Sequence, residues 1–198
     1  MLDKELLEFG QKFHGHKCPA MPMGLRLSLA AMKKLGVERA KDGQLIALVE
    51  LDDAHCATCF GDGVQVATGC TFGKGNIQKL HYGKWGMTLI DKKSKKAVRV
   101  APKAEAMQKN KDSEFMRLRA SGIPASQISD EIVDPMIQMI STAPDDALFN
   151  IGEVFDYDWE EPEHTFDSVV CEDCGEMVVK RNTREKDGKI VCMPCFGK

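Results

Sequence analysis

His14, His16 and Cys18 occupy alternate positions in FHGHKCPAMPMG, and a proline follows the cysteine at once. In an extended loop alternate side chains share one face, so three nitrogen and sulfur donors at this spacing can converge on one ion. A second group stands in DDAHCATCFGD, where His55, Cys56 and Cys59 lie between a strand-like and a helix-like stretch. Two loops at neighbouring helix N-termini can face each other, and the positive helix ends favour thiolate there. Cys70, at the far end of that second helix, would lie about 16 Å from Cys59, too far to share the same ion.

Near the other end, Cys171 and Cys174 are two residues apart, as are Cys192 and Cys195, with 17 residues between the pairs. This is the four-thiolate spacing of a structural zinc site. Each pair forms a tight knuckle, and EMVVK and KIV are expected to pair as a hairpin across Asp187-Gly188. Some thirty residues cannot build a hydrophobic core, so metal must hold this piece together. A thioredoxin-like redox pair would need a single CxxC at a strand-to-helix junction, which the hairpin between the two pairs argues against. Residues 168–198 carry six Lys and Arg against five Asp and Glu, and zinc held by four thiolates adds two negative charges. Nucleic-acid binding draws on surplus positive charge. Protein contact or dimer support is therefore expected of this ribbon, and nucleic-acid binding is not.

The elements that must position these donors follow from periodicity. Leu25, Leu29, Met32 and Leu35 recur at helical spacing and stop at Gly36, with prolines 19 and 22 in the first turn. QLIALVEL reads as a buried strand and GDGVQVATG as a short helix. From Asn76 to Ala101 the pattern predicts a three-strand meander: IQKLHY, WGMTLID and KAVRVA, with KKSKK as a solvated turn. APKAEAMQKNKDSEFMRLRAS is expected as one amphipathic helix, and SQISDEIVDPMIQMIST as a helix kinked or broken at Pro135. This order argues for an α+β class with helices packed on one face of a small sheet.

Composition sets the outer bounds. The 198 residues, 43% hydrophobic and 29% charged, suit one main domain and a satellite. Residues 151–167 hold seven acids and no Lys or Arg, which reads as an acidic linker between a domain at 1–150 and a ribbon at 168–198. No uncharged apolar run approaches the roughly 18 residues of a membrane span, and MLDKELLEFG lacks the pattern of a signal peptide. A cytoplasmic protein is expected, in which close thiols are metal ligands before they are disulfides. GCTFGKGN has the glycines of a phosphate loop, but its spacing is one residue short and Gly75 stands where Ser or Thr is needed. His81 and His164 stand alone.

FHGHKCPAMPMGLRL, CFGDGVQVATGCTFGKGNI and CEDCGEM closely resemble the FmdE family associated with formylmethanofuran dehydrogenase, over nearly the whole chain. The resemblance implies an α+β domain with a mixed four-stranded sheet, often dimeric, followed in some members by a zinc ribbon. It also implies a metal site near the histidines and a link to the molybdenum or tungsten enzyme that reduces carbon dioxide onto methanofuran. The ribbon itself is similar to the four-cysteine finger of the DksA/TraR regulators. Cys59 and Asp62 keep the Cys and Asp of the family's second motif, and Gly63 replaces its Ala. On this basis the first site is assigned to His14, His16, Cys18 and Cys59, with Asp62 orienting a ligand from behind and zinc as the expected ion. The function expected is a metal-binding accessory component that contacts a twin subunit or molybdenum or tungsten enzyme subunits. The alternatives are a metal-dependent enzyme using the first site and a zinc-ribbon transcription regulator.

Overall fold

The computed structural model describes residues 1–54, 58–163 and 165–197. His55, Cys56 and His164, all weighed above, lie outside the described residues. The chain divides into two units, Met1–Trp159 and Glu160–Lys198.

The first unit opens with a helix that the periodicity argument did not find. In α1 (Lys4–His14) the Asp3 carboxylate accepts from the Leu6 amide, and Gly15 ends the helix at φ 90°. His14 is thus the last helical residue, and His16 follows a left-handed turn that suits glycine. The three N-terminal donors converge through that reversal and not through the alternation of an extended strand. Helix α2 (Ala20–Leu35) follows, ending at Gly36 with φ 69°. It is apolar nearly all round and runs through the centre of the unit, with Met21, Leu25 and Leu27 fully buried.

Strand β1 (Leu45–Val49) is buried at all five positions. After helix α3 (Cys59–Thr68) come β2 (Ile77–Lys79), β3 (Met87–Asp91) and β4 (Lys96–Pro102). The expected meander does not form, because β1 lies between β2 and β3, parallel to β2 and antiparallel to β3. An apolar strand with two faces to cover takes a central position, and the short β2 is left at the edge. Four strands were expected and the sheet has six: β5 (Phe149–Ile151) and β6 (Phe155–Asp156) both pair with β4.

These additions come partly from the stretch expected as a linker. Ile46, Leu48, Ile90 and Ala97 form the sheet face turned away from α2, and Tyr157 and Trp159 pack over it. The acidic composition of 151–167 hid two aromatic rings that close the second face of the sheet. The first unit therefore runs on to Trp159.

The expected single helix over 101–121 is two helices, α4 (Ala104–Gln108) and α5 (Glu114–Ala120), and Ser113 caps the second by accepting from the Met116 amide. Helix α6 (Asp130–Thr142) is not broken at Pro135 but continues through it, with Val133, Ile137 and Ile140 buried along one stripe. Arg26, buried in α2, donates to the carbonyls of Ile140 and Ala143 and to Asp145 of the short α7 (Asp145–Leu148), satisfying the end of α6.

In the second unit β7 (Ser168–Val170) pairs with β8 (Met177–Val179), and β9 (Thr183–Lys186) with β10 (Lys189–Cys192), before α8 (Met193–Phe196). The turn at Asp187-Gly188 is present, with φ 53° and 79°. EMVVK, however, pairs with β7 and not with KIV. The Cys171 amide donates to the Glu176 carbonyl, so the first knuckle closes its own hairpin. Among the described residues no helix is long and apolar enough to cross a membrane.

One contact fixes where the first-unit donors stand. A Cβ built on Gly24 of α2 would lie 2.1 Å from the Phe60 carbonyl oxygen, and one on Gly63 of α3 would lie 2.1 Å from that of Met21. The two helices touch backbone to backbone, and only glycine permits it. Gly63→Ala must therefore push α2 and α3 apart. It is expected to destabilise the first unit by about 1–3 kcal/mol in denaturant unfolding, and to lower metal retention there while leaving the ribbon loaded.

Candidate metal centre

The close crossing brings Cys18, just before α2, beside Cys59, the first residue of α3. His14 and His16 reach the same point from the end of α1 and the turn after it. One ligand atom from each of His14, His16, Cys18 and Cys59 lies within 4.8 Å of the others. The individual separations are 3.1 Å for His14 Nε2 to His16 Nε2, 3.5 Å for Cys18 Sγ to His14 Nε2, and 4.0 Å for Cys59 Sγ to His16 Nε2. With zinc bonds of about 2.0–2.1 Å to nitrogen and 2.3 Å to sulfur, the edges of a tetrahedron are about 3.3 Å (N to N) and 3.6 Å (N to S). The donor set has the size and chemistry that such an ion needs.

His14 is held from behind. Its Nδ1 lies 2.7 Å from Asp62 Oδ2, which leaves Nε2 to face the cluster. The other Asp62 oxygen accepts from Gln65 Nε2 at 3.1 Å, and Gln65 Oε1 accepts from the Phe72 amide at 3.0 Å. Sequence reasoning placed Asp62 but missed Gln65. The signal was there, since residues three apart on a helix share a face.

Before an ion binds, one negative charge is shared by the two thiols. The Cys18 thiol donates to Cys59, and with the neighbouring imidazoles this holds the Cys59 thiol down at about 4 against the cost of its burial. Cys18 itself is held far above the usual thiol range, by that same hydrogen bond and by burial, although the Met21 and Ala20 amides pull the other way. Asp62, followed by Cys59, raises His14 to about 9.

A cavity of about 340 Å³ opens directly beside the cluster. His16, Cys18 and Cys59 form part of its wall, and Trp85, Phe115 and Met136 are among its other lining residues. None of these three was singled out in the sequence, because they come from separate stretches that meet only in the fold. Cys70 is buried elsewhere in the core, where its thiol donates to the Leu45 carbonyl at 3.4 Å. Lys74 of the phosphate-loop-like stretch donates to the carbonyls of Ala40 and Lys41, which leaves that ammonium occupied in holding the loop.

The second unit holds its own cluster. Cys171, Cys174, Cys192 and Cys195 each place a sulfur within 4.8 Å of the rest, with 3.9 Å between Cys174 and Cys192, against about 3.8 Å for the sulfur edge of a zinc tetrahedron. The Cys174 amide, followed by the Cys192 amide, which donates to the Cys171 sulfur at 3.3 Å, brings that thiol down to about 6.

Comparison with known proteins agrees with this division. Residues 13–150 match the family described as FmdE, molybdenum formylmethanofuran dehydrogenase operon, and residues 164–198 match the prokaryotic DksA/TraR C4-type zinc finger. A curated relative from Archaeoglobus fulgidus, named a probable S-adenosyl-L-methionine-binding protein, is 35% identical over 97% of the chain. The chain spans about half of that relative's length, 52%. The fold is similar to the crystal structure of a tungsten formylmethanofuran dehydrogenase FmdE-like protein from Syntrophus aciditrophicus. That likeness has a TM-score of 0.62 at 23% identity, covering 98% of this chain and 91% of the other.

Two outcomes follow from this geometry. Asp62→Ala is expected to weaken metal binding at the first cluster about 10–100-fold, read by competition with a chromogenic chelator, and to leave the ribbon cluster unchanged. At neutral pH Cys59 is already ionised, whereas His14 and Cys18 each hold a proton that the metal must displace. Affinity should therefore rise with pH, by about two log units per pH unit between roughly pH 6 and 8, as measured by metal titration.

Proposed function

The chain belongs to the FmdE family, and from that premise we propose that its first unit is a metal-dependent small-molecule binding site. His14, His16, Cys18 and Cys59 hold a zinc ion, and Asp62 fixes the tautomer of His14. The observation that carries this reading is that three of the four donors also line the cavity. A purely structural ion needs only to be enclosed, whereas this one would meet whatever enters. Zinc there would supply Lewis acidity to a donor atom of the bound molecule by taking it as a fifth ligand or in exchange for one of the three donors that face the cavity. The protein's own part is to orient His14, to keep Cys59 as thiolate, and to exclude water with an apolar wall.

The ribbon takes a second zinc at Cys171, Cys174, Cys192 and Cys195, as its likeness to a C4-type finger supports. Its role is contact with a protein, a twin chain or another subunit, and negligible DNA retention at physiological salt is expected. The accessory role expected from the sequence has one specific support, the family's description by a molybdenum formylmethanofuran dehydrogenase operon. Co-purification of molybdenum or tungsten enzyme subunits with a tagged chain from host extract would favour that reading.

Elemental analysis of the purified chain should give about two zinc ions, and Cys18→Ser about one. With cobalt in place of zinc, the part of the visible spectrum that depends on Cys18 should shift when cyanide is added, because the cavity admits it. A spectrum indifferent to cyanide would mark the ion as sealed and structural.

A further inference from the structure

We propose that the cavity beside the metal centre takes an organic anion with an apolar body, such as a small carboxylate or sulfonate, and rejects cations, S-adenosylmethionine among them. This rests on the reading of the cavity as a ligand site. It goes further by naming the ligand's chemistry.

The inference comes from the charges around the cavity. Among the described residues its wall includes Lys111 and Arg119 and no Asp or Glu. Among the described residues neither cation pairs with a carboxylate, and the Arg119 guanidinium makes one contact, donating to the Ile123 carbonyl at 2.6 Å. Zinc held by two thiolates and two neutral imidazoles is itself neutral, so loading the metal leaves the positive balance in place. Asp62, the carboxylate nearest in role, is engaged with His14 and Gln65 and is absent from the wall.

A neighbouring groove extends the same asymmetry. It shares Trp85, Met107, Lys111 and Met116 with the cavity and adds Lys84 and Arg99. Arg99 is matched by Glu50 through two hydrogen bonds, of 2.6 and 2.7 Å. Lys84 pairs with no carboxylate among the described residues, so the groove too is left positive.

Away from the metal donors the remaining wall is mostly apolar, with Met23, Phe115, Met136 and Ile140, and Asn110 and Ser126 add uncharged polar groups. The volume falls within the range of about 300–1,000 Å³ usual for small organic ligands. A charged group entering such a site needs a counter-charge to offset its lost hydration. Lys111 and Arg119 supply it to an anion and repel a cation. S-adenosylmethionine carries a sulfonium and an ammonium against one carboxylate, and its ribose hydroxyls would find no carboxylate acceptor here. The relative named for binding it has nearly half its length outside the match, where that property can reside.

The test uses the zinc-loaded full chain and two dyes of similar shape. These are the anionic 1-anilinonaphthalene-8-sulfonate and the neutral N-phenyl-1-naphthylamine, both followed by fluorescence. The anion should bind at least about tenfold more tightly, the value of one charge-assisted contact. Lys111→Gln, at an exposed side chain, should erode that preference and leave the thermal midpoint unchanged, whereas Arg119→Gln should erode it with a lower midpoint, because the hydrogen bond to the Ile123 carbonyl is lost as well. Ala125→Trp, which fills the cavity, should abolish binding of both dyes, and excess S-adenosylmethionine should displace neither. Equal affinity for the two dyes, full binding in Ala125→Trp, or displacement by S-adenosylmethionine would overturn the proposal. Zinc content separates it from the metal reading. Two ions with no charge preference defeats this inference alone, whereas the preference with only the ribbon's ion defeats the metal reading alone.

Discussion

The carbonyl oxygens of Met21 and Phe60 lie where the Cβ of any residue but glycine would stand at positions 63 and 24, so α2 and α3 meet at backbone distance. Their first residues are drawn together by that contact, and Cys18 and Cys59 with them. Side chains in between would hold the two sulfurs apart. The rest of the first unit follows from this crossing. The sheet packs beneath α2, Arg26 ties α2 to the end of α6, and α1 ends where its last residue, His14, meets Asp62 of α3.

Electrostatics then assigns each donor a part. Asp62 and the Cys59 thiolate favour a charged His14, and the shared hydrogen bond leaves Cys18 as the thiol. Before an ion arrives the charged His14 stands between the Cys59 thiolate and Asp62, and two thiolates would balance a zinc ion. The ribbon differs. Its four thiolates exceed the charge of one zinc, and amide hydrogen bonds such as that from Cys192 to the Cys171 sulfur spread the excess. In the proposed ligand site a neutral zinc centre would leave selection of the ligand to the lysine and arginine of the adjoining cavity.

The amino-acid sequence made both donor sets legible, because ligand chemistry tolerates few residue types and the CxxC spacing of the ribbon is short-range. Helix ends marked by Gly36 and Gly69 were legible for the same local reason. Harder to see was anything decided by packing between distant segments. Strand β1 displaced the meander because it has two apolar faces, a fact that only the whole sheet expresses. Tyr157 and Trp159 stand in an acidic run, and composition averaged them away. Helix α1 is short and amphipathic, and its many charges mask the apolar stripe of Leu6, Leu7 and Gly10. The cavity was beyond reach, since its wall joins α2, α5, α6 and the Trp85 loop. Cys56 and His55 lie outside the described residues.

Zinc K-edge X-ray absorption of the fully loaded chain bears most directly on the claim that imidazoles and thiolates from two separate stretches enclose one ion. A chain with both clusters filled gives, on average, three sulfurs and one nitrogen around each zinc, with multiple scattering from imidazole. A shell of sulfur alone, at one zinc per chain, would contradict that claim and leave the ribbon as the chain's single metal site.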